Sequence, residues 1–215
     1  MTEEARARDD IARVGRSLFD RGLTHGATGN ISVRLSDGRV LVTPTGSSLG
    51  NLDPAALSLL SPEMTHLSGD QPTKETPLHA AFYATRAEAG AVVHLHGTHS
   101  VALSIMPDID PEQAVPPLTP YVVMKVGKVA LLPFFVPGDP AMGEAVRALQ
   151  GRRAAVLLAH HGPVVSGRDL SAASEAAEEL EATAKLALLV RGLHVRALTF
   201  EQISAVAEVH RIAWE

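Results

Sequence analysis

Apolar positions along the chain fall into runs of two periods. Ile11, Val14 and Leu18 recur at helical spacing in a charged opening segment, and Gly22 stands where that helix would close. From Gly29 to Leu35 and from Arg39 to Thr43 the pattern alternates as in strands, around the turn signal Ser36-Asp37-Gly38. Asp53-Pro54 marks a short helix start. Thr76-Pro77 marks a longer one, with Leu78, Ala81 and Phe82 on one face and Gly90 after its end. A β-branched run, Ala91-Val92-Val93-His94-Leu95-His96, follows as a strand, and then a helix from about Thr98 to Met106. Pro107 to Pro120 holds five prolines and is expected to be largely loop. Val129 to Phe135 reads as a strand, Asp139-Pro140 opens a helix toward Leu149, and Ala154 to Ala159 reads as another strand. A long helix is expected from near Leu170 to Arg191, and Thr199 with Gln202 has capping-box spacing for a last one. Helices and strands alternating in this way imply an α/β fold, a sheet covered by helices on both faces. The early hairpin argues against a purely parallel sheet.

Composition narrows the class. The chain has 215 residues, of which 46% are hydrophobic, enough for one well-filled core, and residues 1–215 are expected to form a single domain. A net charge of -5 with interspersed signs gives neither a nucleic-acid footprint nor a polybasic membrane patch. No cysteine is present, which excludes disulfides and thiolate zinc sites. The charged N-terminus and the absence of a membrane-length apolar run lead to the expectation of a soluble cytoplasmic protein.

Histidine changes the picture: there are ten, against one Trp and two Tyr. His25, His66 and His210 read as surface residues. His94 and His96 do not, because two imidazoles two apart on a strand point to one face. A divalent metal bonds both lone pairs, whereas core histidines satisfied by backbone partners are the competing explanation. A third candidate lies where the second apolar run ends, in His160-His161-Gly162-Pro163. Three histidines at strand ends suggest a catalytic metal site with one position open to substrate.

Three loops are candidates for the same pocket: Gly26-Ala27-Thr28-Gly29-Asn30, Thr43-Pro44-Thr45-Gly46-Ser47-Ser48 and Pro72-Thr73-Lys74-Glu75-Thr76-Pro77. Each combines Gly or Pro with hydroxyl or amide groups that can converge on an anion, though ordinary turn chemistry gives the same pattern. None has a Walker or Rossmann spacing. Glu75, at a helix entry, is either a helix-start carboxylate or a general acid/base that also occupies the open metal position. Asn30 as a turn residue and Lys74 as a solvated charge are the plain alternatives for those two.

The ordered series Gly29-Asn30, Thr45-Gly46, Thr73-Lys74-Glu75, His94-Leu95-His96 and His161-Gly162 resembles the class II aldolase family, which includes fuculose-phosphate aldolases and ribulose-phosphate 4-epimerases. Within it the chain looks closest to the 3-oxo-tetronate 4-phosphate decarboxylases, through Thr43 to Gly50, Pro72 to Glu75, His94 to Ser100 and Leu118 to Tyr121. The resemblance implies a three-layer α/β/α sandwich around a mixed, mainly antiparallel sheet, assembled as a homotetramer with sites between subunits. It implies that His94, His96 and His161 hold Zn2+, or another divalent ion such as Mn2+, Co2+ or iron, with Glu75 as acid/base and resting fourth ligand. Gly29, Asn30, Thr45, Gly46, Thr73 and Lys74 would bind substrate, and Tyr121 would be a catalytic residue reaching a neighbouring site. The implied reaction is decarboxylation of a phosphorylated sugar acid, a 3-oxo-tetronate 4-phosphate, to dihydroxyacetone phosphate and CO2 through a metal-stabilised enediolate. A sugar-phosphate aldolase or epimerase is the alternative within enzymes; an adducin-head-like interaction module and a purely structural zinc site lie outside them. Two departures stand out. The sugar-phosphate aldolases commonly carry two serines where this chain has Thr73-Lys74, and many relatives have Asn where it has His160, which is expected behind the metal ligands or competing with them.

Overall fold

The computed structural model describes residues 1–214. Among them, eight strands form one sheet in the order β4-β3-β2-β1-β5-β8-β7-β6. These are β1 (Asn30–Arg34), β2 (Val40–Val42), β3 (Ser58–Leu60), β4 (His66–Ser68), β5 (Ala91–His94), β6 (Val129–Leu132), β7 (Ala155–Leu158) and β8 (Gly162–Gly167). Every neighbouring pair is antiparallel except β6 with β7.

Alternation along the strands divides the core in two. Ile31, Leu41, Val93, Leu157 and Val165 point to one face. There they meet Ile11 and Leu18 of α1 (Glu3–Asp20), Leu103 of α3 (Thr98–Ser104) and Val122 of α4 (Pro120–Lys125). Leu180 of α6 (Leu170–Leu189) and Ile203 of α7 (Phe200–His210) complete that layer. Val42, Val92, Val156 and Val164 point to the other face, against Leu78 and Phe82 of α2 (Thr76–Thr85) and Met142 of α5 (Ala141–Ala148). The result is an α/β/α sandwich with a mixed, mainly antiparallel sheet. Among the described residues no helix is long and apolar enough to cross a membrane.

The elements depart from the periodicity in several places. β1 to β4 run as a meander, so helices and strands do not alternate throughout. The strand expected to reach Phe135 stops at Leu132, and the long helix stops at Leu189. Pro120 opens α4, with Thr119 Oγ1 accepting from Val122 N at 3.4 Å. β8 was not anticipated either, since it begins Gly162-Pro163.

Candidate metal centre

Sheet register brings the site together. Asn30 starts β1 directly opposite His94, which ends β5. His96 lies just past that strand's end rather than on it. The segment that follows is held by Glu181 of α6, whose carboxylate accepts from the backbone N–H groups of His99 (2.8 Å) and Ser100 (2.9 Å) and contacts His99 Nδ1 at 2.8 Å. Those orphan amides at the start of α3 are thereby satisfied, and His96 leaves the sheet at a fixed angle. His161 lies in the turn joining β7 to β8, with its N–H donated to Leu158 O at 3.1 Å. Gly162 follows at φ 144°, and a Cβ there would stand 2.2 Å from Leu95 O. Only glycine lets the turn come that close to the end of β5.

The three rings face one another. His94 Nε2 is 3.1 Å from His96 Nε2 and 3.4 Å from His161 Nε2, and the ring centroids are 4.7–4.9 Å apart. His94 Nδ1 lies 2.8 Å from Pro163 O. A carbonyl only accepts, so Nδ1 carries the proton and the Nε2 lone pair points at the other two rings. Burial first, and then the neighbouring His94 ring, pushes His96 down to about 3 and His161 down to about 4, so both are neutral at neutral pH. Such a concentration of ring nitrogens is a donor set for a divalent cation. His94, His96 and His161 each offer one atom, all within 4.8 Å of one another. His160, expected to support or compete with the ligands, does neither: it is exposed at φ 61°, and its ring stands edge-on to Phe134 at 6.2 Å.

Glu75 completes the cluster from the N-terminal end of α2. Its Oε2 is 3.4 Å from His94 Nε2 and its Oε1 3.4 Å from His161 Nε2. Asn30 Nδ2 donates to Oε2 at 2.7 Å. Burial drives the carboxyl upward, but the neighbouring His94 ring, the Asn30 hydrogen bond and the His161 ring together hold it below the ordinary carboxylate value. The helix-entry role belongs instead to Thr73, whose Oγ1 accepts from Glu75 N at 3.3 Å; Glu75 makes no side-chain cap bond.

The three candidate loops converge. An isolated bridge between Pro44 and Pro72 ties the second loop to the third. A cavity of about 270 Å³ is lined by Gly29, Asn30, Thr45, Gly46, Thr73 and Lys74, with Glu75, His96 and His161 on its wall. Lys74 is exposed there and, among the described residues, makes no ion pair, so its ammonium is available to an anion. Pro137 and Gly138, between β6 and α5, also line it and were not picked out from sequence. Tyr121 is not brought to this cavity. It is 56% exposed beside a separate one of about 690 Å³, with Arg21, His99 and Lys125.

Also missed were His79, Ser32 and Tyr83, packed behind Glu75. The signal was present: Glu75, His79 and Tyr83 are spaced by four on a helix, and Asn30 and Ser32 by two on a strand.

The chain is similar to known proteins over nearly its whole length. A 3-oxo-tetronate 4-phosphate decarboxylase from Haemophilus influenzae is 49% identical over 90% of this chain and 92% of its own length. One from Pectobacterium atrosepticum is 45% identical over 96% and 95%. A solved structure from Escherichia coli, YgbL, described with aldolase, epimerase and decarboxylase activity left open, superposes with a TM-score of 0.93. It is 42% identical, covering 95% of this chain and 99% of that one. Residues 9–188 match the family described as Class II Aldolase and Adducin N-terminal domain, and the chain belongs to that family.

Proposed function

We propose that this protein is a metal-dependent carbon–carbon lyase that decarboxylates a 3-oxo-tetronate 4-phosphate to dihydroxyacetone phosphate and CO2. The observation that carries this is the convergence of three imidazole nitrogens and one ionised, buried carboxylate beside a cavity with a free ammonium. Identities of 45–49% to decarboxylases over nearly the whole chain support the choice of reaction.

Breaking the C1–C2 bond releases CO2 and leaves an electron pair that moves through C2 onto the C3 oxygen; a proton must then reach C2. His94, His96, His161 and Glu75 would hold the ion, and three nitrogens with a carboxylate oxygen suit Zn2+ first, with Mn2+ or Co2+ also acceptable. Lewis-acid stabilisation of the negative charge on the substrate oxygens is what a bound divalent cation supplies at such a site. The rest falls to the chain. Lys74, with the Thr45-Gly46 loop, grips the phosphate. A tight pair between Lys74 and the departing carboxylate would stabilise the ground state and slow the reaction, so the ammonium serves the other end of the substrate. The proton that C2 requires comes from solvent: Glu75, ionised at rest, orients a water that gives it up, or takes a proton from water and passes it on. Tyr121, exposed and remote from the cavity of its own chain, would reach a neighbouring subunit's site in a cytoplasmic homotetramer.

The test is incubation of the cation-loaded protein with both C2 epimers of 3-oxo-tetronate 4-phosphate. Stoichiometric CO2 and dihydroxyacetone phosphate are expected. Aldehyde release from sugar phosphates without CO2 from either acid would replace this reading with an aldolase.

A further inference from the structure

Behind Glu75 runs an unbroken line of buried hydrogen bonds. Asn30 Nδ2 lies 2.7 Å from Glu75 Oε2, and Asn30 Oδ1 lies 2.5 Å from His79 Nε2. His79 Nδ1 is 2.7 Å from Ser32 Oγ, which is 2.8 Å from the Tyr83 hydroxyl. His79 and Ser32 are fully buried, and Asn30 and Tyr83 nearly so.

Donor and acceptor assignment allows one direction. A carboxylate only accepts, so the Asn30 amide turns its NH2 to Glu75 and its carbonyl to His79. That carbonyl only accepts, so His79 Nε2 carries the proton. Burial disfavours the imidazolium, holding His79 down to about 3, and Nδ1 is therefore a bare acceptor. Ser32 must give its hydroxyl proton to Nδ1, and its oxygen then accepts from Tyr83. Each proton points toward Glu75.

We propose that His79 is a positioning residue: backed by Ser32 and Tyr83, it locks the Asn30 amide so that Glu75 Oε2 is held by a fixed donor and Oε1 alone serves the cavity. This rests on the reading of Glu75 as the proton-transfer group. An amide is nearly symmetric in shape, and only its partners decide which end faces the carboxylate. Without the His79 N–H, the flipped amide would set a carbonyl against Glu75 and expel it from its place. The two carboxylate oxygens thus have different duties, and the difference is written by a residue that touches neither substrate nor cation.

Two measurements on the full chain test this. Long-range 1H–15N spectra of the cation-free protein should show His79 protonated at Nε2 and bare at Nδ1. A protonated Nδ1, or an imidazolium, at neutral pH overturns the proposal. In the loaded enzyme, His79→Leu should lower kcat by roughly 10- to 100-fold, the usual effect of removing a supporting partner. KM should stay near wild type, and His79→Gln, which restores a donor toward Asn30, should recover most of the loss. Unchanged kcat in folded His79→Leu, or no recovery in His79→Gln, overturns it. If His79→Leu fails to fold, Tyr83→Phe decides: lower kcat at unchanged KM supports the chain, and unchanged kcat removes it. The tautomer measurement needs no turnover, so a wild type that releases no CO2 defeats the functional reading while the spectra still judge this one.

Discussion

Replacing His94 with Ala removes one of the converging nitrogens and leaves the sheet intact. Pro163 O loses the His94 Nδ1 proton but keeps the Leu95 N–H at 3.2 Å, so one of two hydrogen bonds is lost, about 1 kcal/mol. The effect on the cation is larger. Apparent binding free energies of four-ligand zinc sites run at about 10–16 kcal/mol, so one ligand corresponds to roughly 3 kcal/mol, or about 100-fold in affinity. At a free cation concentration about 1,000 times the wild-type Kd, the ion stabilises the wild type by about 4 kcal/mol but His94→Ala by only about 1.4 kcal/mol. For a chain of this size those terms raise Tm by roughly 8–16 °C and roughly 3–6 °C, respectively. The assay is thermal unfolding of chelator-stripped protein with and without added Zn2+, alongside elemental analysis after dialysis. His160→Ala is the internal control, because its ring is exposed and only its backbone N–H is bonded inward, to Ser104 Oγ at 3.0 Å; it should keep the whole wild-type shift. Equal shifts in wild type and His94→Ala would refute the assignment of these nitrogens to a cation.

Lys74→Ala should raise KM for phosphorylated substrate markedly and leave kcat near wild type; steady-state kinetics with an unchanged KM would reject the phosphate role. Glu75→Gln should retain the cation while turnover falls by roughly two to four powers of ten, the range for a general acid/base, and full activity would rule Glu75 out. In the cation-free protein His79 stays neutral down to about pH 3, whereas in the unfolded chain it protonates near 6.5. The unfolded state therefore binds a proton that the native state refuses. Stability should fall as pH drops from about 6.5 toward 3, by up to about 1.4 kcal/mol per pH unit for this group. Urea unfolding with chelator from pH 7 to 5 measures the slope, and a flat midpoint would contradict it.

The parts of this protein that could be read in the sequence are those whose signal is local. Ser36-Asp37-Gly38 gave the hairpin, Thr76-Pro77 gave the α2 start, and an apolar run ending in His94-Leu95-His96 gave the cluster. β8 was hidden because Gly162-Pro163 looks like a turn; its place between β5 and β7 depends on partners far along the chain. β4 is short and fully exposed, with no buried face to impose a period. His79 escaped for another reason: the apolar stripe Leu78-Ala81-Phe82 explains burial of α2 so well that the polar face at Glu75, His79 and Tyr83 looked unremarked, and only the fold shows that both faces are enclosed. For Tyr121 nothing local in the sequence tells that the cavity lies elsewhere.

The proposed cation ligands come from three stretches, at residue 75, residues 94–96 and residue 161, which adjoin once β5 is seated between β1 and β8. They lie far apart along the chain, and the pairing of β5 with β1 and β8 is what brings them together. An ion captured there would act as a clasp fastened last, slowing reopening of the finished molecule and leaving the speed of its assembly alone.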